Sequence, residues 1–303
     1  MSFDNAYEAL ADEHEDTRWA YGTGFDDALT RVDRALPPGV DPAELAQYCL
    51  MLGDDALILA QRLAEWCSRG PELEEDVAIA NIALDLLGQA RLLLTRAGEV
   101  QGAGRTEDTL AYHRHAPEFR NVVLVEIDCG PGPGGDFAAT MVRLLVFATW
   151  RLACFQRLTA SADPVLAAVA AKGVKELAYH RDHAAQWVVR LGDGTAESAR
   201  RTGQGLERVR PWLGELFVSH PVEQGLASAG VAVDPESLRE EVAEILRQVL
   251  HAADLDEWTP GVVAAAVPDP TGRQGRWGRH TPALTDLLAE MQYEARADPE
   301  AVW

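Results

Sequence analysis

Four long stretches of the chain repeat apolar residues at intervals of three and four, and each breaks off at a glycine or proline punctuation point. That pattern limits the fold more than any other feature. ELAQYCLMLGDDALILAQRLAEWC (44–67) holds the helical period until Gly70-Pro71. LEEDVAIANIALDLLGQARLLLTRAGEV (73–100) then resumes it with acids in its first turn, where they suit the helix dipole. The two read as a hairpin. GPGPGGD (130–136) punctuates the chain before FAATMVRLLVFATWRLACFQRLTA (137–160). Asp163-Pro164 turns that helix into VLAAVAAKGVKELAYHRDHAAQWVVRL (165–191), which stops at Gly192. Runs of period two are nearly absent, so an all-α chain is expected.

Two hairpins joined by a connection of roughly 35 residues match a four-helix bundle with one long crossover, the ferritin-like arrangement. Auxiliary helices are expected at about 197–218, 235–251 and 282–296. The last has Thr281 as N-cap, Pro282 at its first position, and Leu284, Leu287, Leu288 and Met291 along one side, facing either the bundle or another chain. Residues 1–43 form an acidic extension interrupted by Trp19, Tyr21 and Phe25. It reads as a disordered tail or as a segment docked through those aromatics. The helical domain is then 44–303, with its bundle core at about 44–191.

With 27 basic against 48 acidic residues, the net charge of −21 makes nucleic acid or an anionic membrane surface a poor partner, since both need a positive field. Cys49, Cys67, Cys129 and Cys154 form no Cys-x-x-Cys pair, which reads as reduced thiols in a cytoplasm. The N-terminus MSFDNAYEAL has no apolar signal region, and no unbroken apolar run approaches the ~20 residues that span a bilayer. A soluble, cytoplasmic protein is the expectation.

A bundle of this kind raises the question of a di-metal centre, built from one carboxylate on each of two helices and Glu-x-x-His on each of the other two, all at one height. KELAYHRDH (175–183) carries Glu176, His180 and His183 at helical spacing, but the position three before His180 holds Leu177. Counting about 1.5 Å per residue from the hairpin turns puts Asp85 level with Asp54 or Asp55, and His180 level with Ala148. Three residues past Asp85 the motif needs histidine, and the chain has Gly88; between Phe137 and Ala162 there is no acid at all. Asp54, Asp85 and His180 thus keep donors in register, while Gly88, Ala148 and Leu177 cannot coordinate, so no metal is expected in this chain. Buried acids then need another cation. Lys172, one turn before Glu176, or Arg143 is the candidate; the alternative is that Lys172 and Lys175, the only lysines, are simply solvated. Two metal-using readings stay open: an irregular iron site on Asp54, Asp85, Glu176, His180 and His183, and a zinc site on the last three alone.

The segments LGDDALILAQRLAEWC, PELEEDVAIANIALDLLGQAR, VKELAYHRDH and RHTPALTDLLAEMQY follow in order from about residue 45 to the C-terminus. They resemble the non-catalytic ferritin-like subunits of bacterial phenylacetyl-CoA epoxidases. The resemblance implies a structural subunit, without a cofactor of its own, in a hetero-oligomeric monooxygenase. A related catalytic subunit would hold the di-iron centre, insert one oxygen of O₂ into the ring of phenylacetyl-CoA and draw electrons from a reductase. Residues 1–43 lie outside the resemblance. GRQGRWGRH (272–280) gathers Arg273, Arg276, Arg279 and His280 before the last helix; it reads either as a contact for an acidic partner or CoA phosphates, or as a solvated loop.

Overall fold

The four long helices form where the apolar period places them, and three of their four N-termini are set by aspartate side-chain caps. In the computed structural model, which describes residues 32–132, 136–258 and 274–298, α1 (Pro42–Ala64) starts at Asp41, whose carboxylate accepts the Ala43 N–H. α2 (Leu73–Gln101) ends at Gly102, whose φ of 64° is one that a side chain would resist. The crossover contains two short helices, α3 (Glu107–Tyr112) and α4 (Val123–Glu126). α5 (Phe137–Leu158) and α6 (Pro164–Gly192) are capped by Asp136 and Asp163, each accepting the N–H three residues on.

Cross-helix bonds fix the directions. Asp85 meets His180 and Gln89 meets Glu176, so numbers rise on α2 as they fall on α6. Trp66 meets Thr140 and Arg151 meets the Leu52 carbonyl, so α1 and α5 are likewise antiparallel. With α1 also antiparallel to α2, helices α2 and α5 must run the same way, and the crossover has to travel the length of the bundle between them. This is the ferritin-like fold, and among the described residues there is no strand.

The outer elements are α7 (Ala196–Val209), α8 (Pro221–Ser228), α9 (Arg239–Ala252), α10 (Pro282–Met291) and α11 (Tyr293–Ala297). The expected helix at 197–218 stops early and continues as 3-10 turns from Arg210, because Pro211 offers no N–H to a helix interior. α8 went unforeseen, although His220-Pro221 is a start signal. Leu284, Leu287 and Leu288 of α10 are buried, packing toward the crossover. Thr281 stands at the N-cap position, yet its hydroxyl makes no cap bond.

By length and mean hydropathy α2 and α5 could each cross a membrane, which the count of unbroken apolar runs did not anticipate: isolated charges such as Asp85, Arg143 and Arg151 barely lower a window average. α5 is buried in the protein along nearly its whole length, as a core helix must be. The acidic extension to residue 31 lies outside the described residues, while Asp33 onward packs as one unit.

Candidate functional site

Asp54 and Asp55 are adjacent and fully buried, and both turn away from the bundle centre toward the crossover and the C-terminal segment. The guanidinium of Arg114 grips Asp54 through both nitrogens, one at 2.9 Å, and the Arg120 N–H donates to the same carboxylate at 2.8 Å. Arg114 also lies over the Phe119 ring at 4.1 Å. Arg276 holds Asp55 in a fork of 3.0 and 2.8 Å, and the Val122 N–H adds a third bond at 2.8 Å. Burial outweighs the rest and pushes the Asp55 carboxyl up, while the Arg276 and Arg151 charges and the Val122 N–H pull the other way. Burial would lower Arg276, and Asp55 with Glu223 reverses this and holds it charged.

The bundle centre belongs to Arg151. Its side chain is completely buried on α5, donates to Gln89 Oε1 at 3.0 Å and to the Leu52 carbonyl at 3.1 Å, and stacks over the Phe155 ring at 4.4 Å. Gln89 in turn donates to Glu176 at 3.0 Å, and Glu176 lies 3.8 Å from Lys172 Nζ. Gly173 makes this approach feasible, since a Cβ there would fall 2.8 Å from the Phe155 ring. Burial lowers Arg151 to about 10, with Asp55 nearby acting against the loss of charge.

The structure brings some of the candidate residues together and separates others. His180 Nε2 sits 3.0 Å from Asp85 Oδ2, as their common level requires. His183 Nε2 lies 3.2 Å from Glu75 Oε2, off the hydrogen-bonding direction. Burial lowers His183, against the pull of the Glu75 carboxylate. Glu176, His180 and His183 therefore each face a different α2 residue and do not converge. Ala148 and Leu177 are apolar core. Gly88 points away from the centre, which Gln89, one residue and about 100° further round, faces instead.

One of the two proposed compensating cations needs correction. Arg143 is buried about 12 Å along α5 from Arg151 and donates to the Ile127 carbonyl at 2.6 Å, serving the crossover. Lys172 does stand beside Glu176, but from a largely exposed position at the rim. Sequence reasoning chose Arg143 as the cation of the third helix and missed Arg151, although Arg151 lies one turn beyond Ala148 on the same side.

Of the basic group before α10, Arg273 lies outside the described residues, Arg279 is exposed, and Arg276 is no surface contact but the buried partner of Asp55. His280 is also internal. Its Nδ1 is 2.7 Å from Glu126 and its Nε2 is 3.1 Å from the Phe119 carbonyl, while Glu126 accepts the Thr281 N–H at 2.5 Å. Burial works to lower His280, but the Glu126 carboxylate outweighs it and the net direction is up. Glu215, part-exposed as a residue but with its carboxyl buried, ties Val123 N–H to Gly275 N–H at 2.8 and 2.6 Å, and burial raises it to about 7.

The sequence pattern of the phenylacetic acid catabolic proteins matches residues 32–303. The chain belongs to that family. It is also similar to a protein of Escherichia coli (strain K12) that is named as one of the subunits of 1,2-phenylacetyl-CoA epoxidase, with 42% identity over 265 residues, covering 86% of this chain and 99% of that protein.

For this phenylacetic acid catabolic protein, the donor set at the level of Asp85 and His180 does not fit a pair of irons. Asp54 and Asp55, the two candidates for the one carboxylate that α1 would supply, are spent on Arg114 and Arg276, the positions at Ala148 and Leu177 carry hydrocarbon, and the Arg151 guanidinium stands in the middle. Among the described residues, no group of three or more His, Cys, Asp or Glu side chains converges on one point.

Proposed function

We propose that this chain is the structural, non-catalytic subunit of a cytoplasmic, multicomponent oxygenase that epoxidises the ring of phenylacetyl-CoA. The di-iron chemistry resides in a related catalytic subunit, and the complex is a hetero-oligomer. The family membership and the name of the Escherichia coli relative support the pathway and the complex. The observation that carries the non-catalytic part of the reading is Arg151: a cation fixed by two hydrogen bonds and an aromatic face in the buried centre repels further positive charge. The work left to the chain is mechanical, holding a rigid bundle against the catalytic subunit.

Metal analysis of the chain purified alone and with the catalytic subunit tests this. Iron should follow the catalytic subunit, with far less than one equivalent in the isolated chain. Stoichiometric iron there, together with oxidase turnover, would overturn the proposal.

A further inference from the structure

Five of the nine large apolar side chains exposed among the described residues stand on one outer face, Leu73, Val77, Leu84 and Leu87 of α2 and Tyr179 of α6. On α2 these positions, with Ala80 and Arg91, recur at alternating steps of four and three over about 27 Å, the spacing of a helix–helix seam. The most apolar window of α2 is only 44% buried, against 94% for α5, so α2 carries apolar surface that its own core does not use. Beside the seam, a Cβ added to Gly88 would meet nothing within 4 Å, which leaves a notch next to Leu84.

Charge tells what covers this face. Glu72 and Glu74 are exposed at the end where α2 begins. Arg190 at that end is stacked on the Trp187 ring at 4.7 Å. The register that pairs Asp85 with His180 and Gln89 with Glu176 sets Lys172 and Lys175 beside α2 residues 90–93, near the exposed Arg91. Both lysines of the chain therefore lie at the end opposite Glu72 and Glu74, where Lys172 already stands 3.8 Å from Glu176 and Arg91 3.5 Å from Glu107. A two-fold contact requires a patch complementary to itself, and a face acidic at one end and basic at the other satisfies this when its partner runs antiparallel.

We propose that this face binds a second copy of the chain, antiparallel, about a two-fold axis passing near residue 82. Residue 77 then lies opposite 87 of the other copy, 73 opposite 91, and Glu74 opposite the level of Lys175. The dimer is independent of the metal question and stands or falls apart from it. Sedimentation equilibrium on the purified full chain, from micromolar concentration upward, tests it. The wild type should dimerise; Leu84→Glu, at a site already exposed, should weaken the dimer at least tenfold with an unchanged helical circular dichroism spectrum. Lys175→Glu should weaken it several-fold, and combining it with Glu74→Lys should restore most of the loss. A monomeric wild type, a dimer indifferent to Leu84→Glu, or a charge swap without rescue overturns the proposal. So do cross-links from this face to a different subunit by a chain that is monomeric alone.

Discussion

Two layers of buried charge in this protein are built on opposite plans. Under the crossover and the C-terminal segment, carboxylates meet cations directly: Asp54 with Arg114, Asp55 with Arg276, Glu126 with His280. At the bundle centre, Arg151 is held by a neutral amide, a backbone carbonyl and aromatic rings, and no carboxylate bonds to it. The outer layer clamps segments far apart in sequence onto α1. The inner layer fills the place where a related bundle would hold metal. The contrast shows that the same guanidinium chemistry can serve as a clamp or as a plug, depending on which side of α1 it packs against.

Breaking the outer layer should cost most. Arg276→Ala leaves the Asp55 carboxylate buried with two of its three hydrogen bonds gone, and should lower the unfolding free energy by about 3–5 kcal/mol in guanidinium titrations. Arg151→Met removes the cation together with its need for partners and keeps much of its volume. It should cost only about 1–2 kcal/mol, mostly from the unpaired Gln89 amide oxygen. Equal losses in the two variants would mean the centre is an ion-pair layer after all.

Two histidines extend the comparison to pH, with effects on the order of 1 kcal/mol. The folded value of His280 is raised, so the stability it lends is complete below the ordinary histidine value of about 6.5 and is lost as pH rises through the raised value. His183 is lowered by burial, so its contribution is complete above about 6.5 and is lost as pH falls through the lowered value. Denaturation midpoints from acid to mildly alkaline pH should therefore show His280→Gln differing from wild type mainly on the acid side and converging with it on the alkaline side. Glu215, raised to about 7, also loses its contribution as pH rises, which is why variant differences rather than wild-type curves are the measurement.

The smallest effect belongs to Gly88. Because a Cβ there meets nothing, Gly88→Ala should stabilise the protein by about 0.5–1 kcal/mol through the helix propensity alone. A loss instead would mean that the notch is filled in solution.

Periodicity and punctuation were enough to read the four long helices, their pairing and the crossover, because a 3.6-residue repeat and a proline turn are local facts. The level of Asp85 with His180 was legible for the same reason: rise per residue is constant along a helix. Direction around the helix was harder. Asp54 and Asp55 stood at the right height, but only the arrival of Arg114 and Arg276 from 60 and 221 residues away decided that their carboxylates point outward. Arg276 looked like surface because a cluster of arginines in a Gly-rich segment usually is; its burial depends on a carboxylate the local sequence does not contain. The residue order thus determined the bundle and the heights of its polar groups, which follow from short-range geometry. The tertiary structure decided which charges neutralise each other and what fills the centre, because Coulombic pairing is settled by distance in space.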